Sequence, residues 1–310
     1  MKKKFKILIT WRLMIDNIES YKKIFSINNI SYDFIYREQG LSEKDLIKVI
    51  DKYDGIICGD DQINRKVLNR AKKLKIISKW GSGIDSIDKE FAKYKNIKIL
   101  NSPGAFTEPV AQHAVGMMFS LTRNLIFNHL DLKKGVWSKR INQNIYKKNI
   151  GIIGYGKIGK EIKKILSIFK TKFYFYDPRY KSKYFVNKNL LLKNSDVIFI
   201  CCELNKNSKH LIKINELKKM KKTTYLINIS RGAIIKNIDL IKALKNNFIA
   251  GAGIDVFEKE PIGKNSEFLK LSNCLLTSHN AFNSDQAISE INKKTVDNIL
   301  NFFKKLKKYS

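Results

Sequence analysis

The sequence is poor in the features that mark membrane and exported proteins. It has four cysteines and four prolines among 310 residues, and no apolar run approaches the roughly 20 residues that a transmembrane helix needs. The basic start is followed by a short apolar run that Arg12 interrupts, which is too short for a secretory signal. We therefore expect a cytoplasmic protein with no membrane partner.

The cysteines show no spacing typical of a metal or redox site. Cys201 and Cys202 are adjacent, so in a strand their side chains would point to opposite faces. No C-x-x-C pattern joins either of them to Cys58 or Cys274. We interpret all four as small buried residues in a reducing compartment, and we predict no metal site.

Acidic residues are scarce relative to basic ones. The chain has 28 Asp and Glu against 60 Lys and Arg, which gives a formal net charge of +32. Such a charge can indicate a surface for nucleic acid or membrane. Lysine recurs in every segment, however, and not in one patch or tail, which favours the composition of an AT-rich genome as its origin. We predict no nucleic-acid partner, and we expect the positive surface to speed encounter with an anionic substrate.

Short apolar runs alternate with amphipathic, lysine-rich stretches in two series. The strand candidates are Lys6–Thr10, Tyr32–Tyr36, Gly55–Cys58, Lys75–Lys79 and Ile97–Leu100 in the first series, and Ile150–Ile153, Lys172–Tyr176, Val197–Cys201, Thr223–Ile229, Ile249–Ile254 and Cys274–Thr277 in the second. The helical patterns include Glu43–Ile50, Asn64–Lys72, Thr107–Asn124, Lys160–Phe169 and Ser284–Lys308. This alternation predicts an α/β protein with two doubly wound parallel-sheet domains.

A glycine-rich turn follows the first strand of the second series. Gly154, Gly156 and Gly159 form the pattern G-x-G-x-x-G between a strand and a helix. Such glycines permit a tight turn, close approach of a pyrophosphate and close helix packing, and the helix N-terminus attracts phosphate. The turn predicts a dinucleotide site.

An acidic residue stands where a dinucleotide site needs one. Asp177 ends the next strand, about 20 residues past the last glycine, where a carboxylate accepts hydrogen bonds from the ribose hydroxyls. Because an acid at this place repels a 2′-phosphate, we predict NAD as the cofactor. The nearby Arg179 leaves NADP open as the alternative.

The chain has four histidines, which shortens the search for an acid–base group. His113 and His129 lie in helical patterns, where we expect structural roles, and we interpret His210 as a surface or packing residue. His279 differs, because it follows the strand Cys274–Thr277 and opens a loop. Ligands bind beyond the carboxyl ends of parallel strands, so we predict that His279 transfers the proton of a hydroxyl group.

Further reactive side chains follow the neighbouring strands of the same series. Arg231 presents a planar fork that can hold a carboxylate and polarise the adjacent C2 oxygen. Glu260 would pair with the imidazole of His279, orient it and stabilise its protonated form. Asp255 could accept a hydrogen bond from the nicotinamide carboxamide. Each of these could alone be a surface ion pair, but together they predict hydride transfer between nicotinamide and C2 of a 2-hydroxy or 2-keto acid.

These motifs, in this order, resemble those of the D-isomer-specific 2-hydroxyacid dehydrogenase family over nearly the whole chain. The likeness is greatest to short members of the phosphoglycerate dehydrogenase type. The motifs that carry it are Lys79–Asp88, Asn101–Gly104, Val110–His113, the glycine turn with Asp177, Ser230–Gly232, Asp255–Phe257 with Glu260–Pro261, and Ser278–Asn280.

The resemblance implies roles for the domains and for individual residues. Residues 102–283 would form a Rossmann NAD-binding domain, and residues 1–101 with 284–310 a discontinuous, flavodoxin-like substrate domain. The implied catalytic residues are Arg231, Glu260 and His279. Contacts to NAD would come from the three glycines and from Lys157, Ile158, Asp177, Ser208, Ile229 and Asp255. Substrate contacts would come from Lys79, Ser82, Gly83 and Arg231. A homodimer would form largely through the segment after Pro103.

Some features depart from the family pattern. Gln112 replaces a commoner Glu, and Cys202–Leu204 replaces a stretch that often contains proline. The sequence ends directly after its last helical pattern, so we expect no appended regulatory domain and no serine feedback through one. The favoured substrate is 3-phosphoglycerate. The alternatives are a glyoxylate or hydroxypyruvate reductase and, from another class, an NAD-sensing regulator similar to transcriptional corepressors.

Overall fold

The computed structural model describes residues 4–38, 40–180, 182 and 184–308. The chain divides into two compact units, which we call the terminal unit (Met1–Phe106 with Asn283–Ser310) and the central unit (Thr107–Phe282). Residues 1–3, 39, 309 and 310 of the predicted substrate domain lie outside the described residues. The division of the chain into domains at 101/102 and 283/284, and the assignment of their functions, stay predictions.

In the terminal unit, the described residues form one parallel sheet with the strand order β2-β1-β3-β4-β5. The strands are β1 (Phe5–Ile9), β2 (Ile30–Phe34), β3 (Gly55–Cys58), β4 (Ile76–Lys79) and β5 (Lys98–Leu100). The helices are α1 (Arg12–Ile15), α2 (Glu19–Ile27), α3 (Glu43–Ile47), α4 (Arg65–Arg70), α5 (Lys89–Tyr94) and α12 (Asp285–Lys308).

The long helix α12 packs against strand β4 of the terminal unit. Ser78 Oγ donates a hydrogen bond to the carbonyl of Thr295 at 3.0 Å, and Trp80 Nε1 donates one to Asn292 Oδ1 at 2.6 Å. Buried donors must find acceptors, and these two find theirs on a helix that lies more than 200 residues further along the chain. This helix therefore completes the core around β4.

The described part of the central unit also contains one parallel sheet, with the strand order β11-β10-β9-β8-β6-β7. Its strands are β6 (Asn149–Ile153), β7 (Lys172–Tyr176), β8 (Val197–Ile200), β9 (Tyr225–Asn228), β10 (Gly251–Ile254) and β11 (Cys274–Leu276). Its helices are α6 (Thr107–Thr122), α7 (Leu125–Lys133), α8 (Lys157–Ser167), α9 (Lys188–Asn194), α10 (Ile214–Lys219) and α11 (Asn237–Lys245).

The strand order of the central unit reverses at β6, which pairs with β7 on one side and β8 on the other. A crevice opens at such a switch point, beyond the carboxyl ends of the strands. Strand β8 is buried along its whole length, as expected where helices cover both faces of a parallel sheet. The predicted fold class, two doubly wound parallel-sheet α/β domains, is confirmed.

Element boundaries differ from the predictions by small amounts. Strands β3 and β7 have the predicted bounds, whereas the predicted strand Thr223–Ile229 is shortened to β9. The helix predicted over Glu43–Ile50 ends at Ile47, because Val49 leaves helical conformation at φ −131° before a short 3₁₀ turn. Among the described residues, no helix is both long and apolar enough to pass through a bilayer.

Candidate active site

The glycine turn lies between β6 and α8, at the switch point of the central sheet. Gly154 has φ +93°, and a Cβ there would lie 2.5 Å from the backbone nitrogen of Cys202, so only glycine fits. A Cβ on Gly156 would meet no atom within 4 Å, which leaves the backbone open to an approaching phosphate. Gly159 is buried in the first turn of α8, with Lys157 exposed beside it. This geometry fits a bound pyrophosphate.

The carboxylate of Asp177 lies against the glycine turn and is clamped by Arg179. It accepts hydrogen bonds from the backbone N–H of Tyr155 at 2.9 Å and from Arg179 Nε and Nη2 at 3.0 and 2.7 Å. The guanidinium of Arg179 lowers the pKa of Asp177, so this group is ionised at neutral pH. A charged acid beside the turn is the arrangement that NAD requires.

A cleft of about 220 Å³ adjoins the glycine turn, lined among others by Gly154, Asp177, Arg179, Cys202 and Ser208. Ser208 Oγ donates to the carbonyl of Glu203 at 2.6 Å and accepts from Asn205 N–H at 2.7 Å, so it braces its own loop at the cleft wall. The loop after β8 thus contributes Cys202 and Ser208 to the cleft.

Burial raises the pKa of the Cys202 thiol to about 11. The thiol is therefore protonated at neutral pH, and only the thiolate is a strong nucleophile. The expectation of small buried cysteines is correct for Cys58 and Cys274, whereas Cys201 and Cys202 are partly exposed, and Cys202 lines the cleft.

His279 and Glu260 meet at the carboxyl edge of the central sheet. His279 Nδ1 lies 2.7 Å from Glu260 Oε2, and Glu260 Oε1 accepts a hydrogen bond from the backbone N–H of Phe257 at 2.8 Å. Both side chains are partly exposed, so the imidazole is accessible to a ligand. With Nδ1 directed at a carboxylate, Nε2 is the ring atom suited to exchange a proton with a substrate.

His279 is held by its backbone as well as by Glu260. Its φ is +52°, a left-handed conformation that few residues other than glycine adopt, although histidine is among those enriched there. Its N–H donates to the carbonyl of Asp255 at 2.7 Å. The side chain is therefore positioned from both ends.

Asp255 is completely buried and binds the loop that carries His279. Its carboxylate accepts from Thr277 Oγ1 at 2.6 Å, from Asn280 N–H at 2.8 Å and from Ala281 N–H at 3.2 Å. A buried carboxylate with three donors is well satisfied, and here the donors fix the loop geometry. Its contact with nicotinamide stays a prediction.

Helix α6 contributes His113 to the same cluster. His113 Nε2 lies 3.2 Å from Thr277 Oγ1 and 3.7 Å from Asp255 Oδ1. The helical position of His113 was predicted from the sequence, but this contact was not. Residues 113 and 277 lie far apart along the chain, so only the packing of α6 against the sheet brings them together.

Arg231 lies three residues past the end of β9, in a turn held by its own hydrogen bonds. Asn228 Nδ2 donates to the carbonyl of Arg231 at 3.1 Å, and Arg231 Nη1 donates to the carbonyl of Ser230 at 2.8 Å. The hydroxyl of Ser230 also bonds the carbonyl of Cys202, which ties this turn to the cleft wall. Ile229, before the turn, is buried.

The predicted substrate residues of the terminal unit follow β4. Lys79 is buried at the strand end, with its Nζ 2.9 Å from Asp60 Oδ1. Ser82 is exposed, and its carbonyl accepts a hydrogen bond from Asn101 Nδ2 at 2.6 Å; Gly83 is partly exposed next to it. The sequence did not predict the partner of Lys79, because Asp60 comes from a different strand end.

Known proteins provide an independent comparison. The family model "D-isomer specific 2-hydroxyacid dehydrogenase, NAD binding domain" matches residues 115–281. The chain is 35% identical over 253 residues to a glyoxylate reductase of Thermofilum pendens, covering 77% of this chain and 75% of that protein. It is 31% identical over 278 residues to a D-3-phosphoglycerate dehydrogenase of Synechocystis sp., covering 84% of this chain and 50% of that protein.

The chain is also similar in structure to a solved dehydrogenase. The D-lactate dehydrogenase of Aquifex aeolicus, in complex with NAD and lactic acid, superimposes with a TM-score of 0.86 at 25% identity, covering 96% of this chain and 95% of that one.

Proposed function

The chain belongs to the D-isomer specific 2-hydroxyacid dehydrogenase family, and on that premise we propose that its substrate is a small 2-keto acid, glyoxylate or hydroxypyruvate. It is an NAD-dependent oxidoreductase that acts on the CH–OH group of 2-hydroxy acids. The observation that carries the site assignment is the 2.7 Å contact between His279 Nδ1 and Glu260 Oε2 at the edge of the NAD-binding sheet.

The side chains of the central unit supply binding and proton transfer. In reduction, His279 gives a proton from Nε2 to the C2 oxygen, and in oxidation it takes that proton back. Glu260 holds the ring and balances its positive charge through Nδ1. Arg231 binds the substrate carboxylate with its fork and polarises the C2 oxygen. When bound, the cofactor would supply the hydride as NADH or accept it as NAD⁺.

We assign the NAD contacts to the residues around the glycine turn and the cleft. The backbone at Gly154, Gly156 and Gly159, with Lys157 and Ile158 in the first turn of α8, would hold the pyrophosphate. Asp177 would bind the ribose hydroxyls, and Ser208 would line the cleft wall. Ile229 and Asp255, at the ends of β9 and β10, would border the nicotinamide. These positions support the assignment of the central unit as the cofactor domain and of the terminal unit as the substrate domain.

We base the choice of substrate on the ion pair that Lys79 forms with Asp60. A doubly charged phosphate at C3 would need an uncompensated cation, but Lys79 is ion-paired with Asp60 at 2.9 Å. Its charge is therefore largely balanced within the terminal unit, which favours a small monoanion and reverses the order that the sequence suggested. The phosphoester substrate, 3-phosphoglycerate, is the second candidate, because Lys79 would hold its phosphate if Asp60 moved aside.

A panel of keto acids tests the proposal. NADH oxidation is measured with glyoxylate, hydroxypyruvate, pyruvate and 3-phosphohydroxypyruvate. We expect the highest kcat/KM with glyoxylate or hydroxypyruvate, and we expect Asp60→Asn to raise kcat/KM for 3-phosphohydroxypyruvate by about tenfold, which corresponds to about 1.4 kcal/mol. Preference of the unaltered chain for the phosphorylated acid would support the second candidate. No turnover on the panel, together with salt-sensitive DNA binding, would support the regulator.

A homodimer is the proposed assembly. The segment 125–141, after Pro103, exposes the large apolar side chains Leu125, Ile126, Leu130, Leu132, Val136, Trp137 and Ile141. A run of exposed apolar side chains of this length is typical of an interface, and a second copy of the chain is the occupant that we propose. Localisation in the cytoplasm stays a prediction.

Light scattering tests the dimer. We expect twice the chain mass for the unaltered protein and a monomer for the double variant Trp137→Asp, Ile141→Asp. The control is Ile27→Asp, at another exposed apolar side chain, on α2, which should remain dimeric. A monomeric unaltered chain would contradict the assignment.

A further inference from the structure

Three of the four histidines contact an acid from one short segment, Asp255–Glu260. His279 pairs with Glu260, His113 approaches Asp255, and His210 Nε2 lies 2.5 Å from Glu258 Oε1. The proposed reaction uses the first of these contacts, and the second lies at Asp255, whose other hydrogen bonds hold the His279 loop. The third has no role in that reaction; His210 is partly exposed, as expected for a surface residue, and its ring lies beside the partly exposed Glu258.

We propose that His210 and Glu258 form a second imidazole–carboxylate pair that positions Glu260, and through Glu260 the ring of His279. His210 and Glu258 would thus be positioning residues that do not touch the substrate. The inference rests on the proposed function, since it concerns the same acid–base pair.

Glu258 is anchored on two sides. Its Oε1 contacts His210, on the loop after β8, and its Oε2 accepts from the backbone N–H of Asn237, at the start of α11, at 3.3 Å. The backbone N–H of His210 in turn donates to the carbonyl of Ala233 at 2.7 Å. The pair therefore ties the loop after β10 to the segments after β8 and β9.

Glu260 follows Glu258 by two residues and closes a small ring with the same loop. Its Oε1 accepts from the backbone N–H of Phe257 at 2.8 Å, while its Oε2 contacts His279 at 2.7 Å. A shift of the backbone at Glu258 would therefore move the carboxylate that orients the imidazole. One residue separates the anchor, Glu258, from the residue that it would position, Glu260.

The same loop also lies directly against the turn that carries Arg231. A Cβ on Gly232 would lie 1.9 Å from the carbonyl carbon of Phe257, so the two backbones touch there. Displacing the loop would thus disturb the surroundings of the guanidinium as well as the imidazole. The same loop therefore supports both side chains that would contact the substrate, Arg231 and His279.

The geometry of His210 is unlike that of an ordinary surface ion pair. Its φ is +51°, close to the +52° of His279, and its backbone N–H is held by the carbonyl of Ala233 at 2.7 Å. By contrast, the pair of Lys245 and Glu267, which Lys270 also joins, consists of flexible side chains that are 41% to 66% exposed, and such pairs position little. That second pair is the matched control.

Variants at His210 can remove the contact with Glu258 without changing the left-handed backbone conformation at residue 210. His210→Asn tolerates a left-handed backbone, but its side chain is too short to reach Glu258. His210→Gln places an amide nitrogen where Nε2 stood and keeps the donor. We expect His210→Asn and Glu258→Ala to lower kcat between about tenfold and hundredfold, as small misplacements of catalytic groups do. His210→Gln should restore most of it, and Glu267→Ala should have no effect.

Two further measurements exclude a merely structural effect. The Kd of NADH, from fluorescence, should change by less than about twofold in His210→Asn, a difference below about 0.5 kcal/mol. With four histidines in the chain, the NMR signal of each imidazole can be assigned without substrate. The His279 signal should move in Glu258→Ala and His210→Asn and stay in place in Glu267→Ala.

The outcomes distinguish this inference from the proposed function. If the unaltered chain turns over no keto acid, the proposed function fails, and the His279 signal still tests the positioning. If the unaltered chain is active while the variants keep both kcat and the His279 signal, the positioning role is wrong. A loss of NADH binding as large as the loss of kcat would also overturn it, because the pair would then act on the cofactor loop.

Discussion

At the scale of single residues, His279 is fixed by a carboxylate, a backbone hydrogen bond and a left-handed φ at once, a combination that it shares with His210. We expect His279→Asn, which tolerates that φ and offers Glu260 an amide in place of Nδ1, to fold normally and lose the proton transfer. The expected loss in kcat is about 10²- to 10⁴-fold, with an unchanged Kd for NADH. His129→Ala, at an exposed position on α7, is the control; near-native turnover of His279→Asn would show that another group transfers the proton.

Asp177 is the residue that should decide between the two nicotinamide cofactors. We expect Asp177→Asn to weaken NADH binding and to strengthen NADPH binding, because Arg179 then loses the carboxylate that it hydrogen-bonds and can attract a 2′-phosphate. Asp131→Asn, which breaks the Arg140–Asp131 pair at 2.7 Å, is the control. An unchanged ratio of the two Kd values would contradict the role of Asp177.

The lowered pKa of Asp177 also has a consequence for stability. Since the folded protein favours the ionised form, its stabilising contribution is present above the unfolded pKa of about 3.9 and is lost as the pH falls through the folded value. We expect the difference in Tm between the unaltered chain and Asp177→Asn to be constant near neutral pH and to shrink below about pH 4. A difference that grows on acidification would contradict this sign.

At the scale of elements, glycine has two different roles in the β6–α8 turn: it permits the fold at Gly154 and the approach of the cofactor at Gly156. Gly154→Ala would force a Cβ to within 2.5 Å of the backbone at Cys202 with φ +93°, so we expect losses of both Tm and NADH affinity. Gly156→Ala has open space, so we expect an unchanged Tm with weakened NADH binding, because the methyl group occupies the approach of the pyrophosphate. Gly263→Ala, also in open space, should change neither. Equal losses of Tm in the three alanine variants would show that Gly154 and Gly156 do not differ in their roles.

The elements were predictable from the sequence wherever burial alone determines them. Apolar runs such as those of β3 and β8, which are buried along their whole length, identified the strands to within a few residues, because both faces of a parallel sheet are covered. Helix ends were less predictable: the pattern Thr107–Asn124 ends at Thr122, since Asn124 takes a left-handed φ of +51°. Such local reversals depend on tertiary contacts, which the spacing of apolar residues does not encode.

The sequence predicted those site residues that lie just past the ends of predicted strands. Arg231, Asp255 and His279 follow neighbouring parallel strands, which places them at one edge. The partners Asp60 of Lys79, Thr277 of His113 and Glu258 of His210 were not predicted. Each pair joins loops or helices whose spacing depends on tertiary packing, and no local pattern records it.

At the scale of the whole molecule, the charge of +32 should influence the rate of encounter. A positive surface attracts anionic keto acids and NADH over a Debye length of about 30 Å at 0.01 M salt and about 8 Å at 0.15 M. We therefore expect kcat/KM for glyoxylate to fall over this range while kcat stays constant. Measurements in sodium chloride and in a second 1:1 salt should agree; a kcat/KM that does not change with ionic strength would mean that the charge has no steering effect.

Helix α12 packs on β4, although the sequence of the whole central unit separates them. A nascent chain that leaves the ribosome therefore presents β4 long before its covering helix exists, whereas residues 107–282 emerge as one continuous stretch. We expect the central unit to mature first during translation, and the N-terminal strands to wait, with apolar surface available to chaperones, until residues 285–308 have been synthesised.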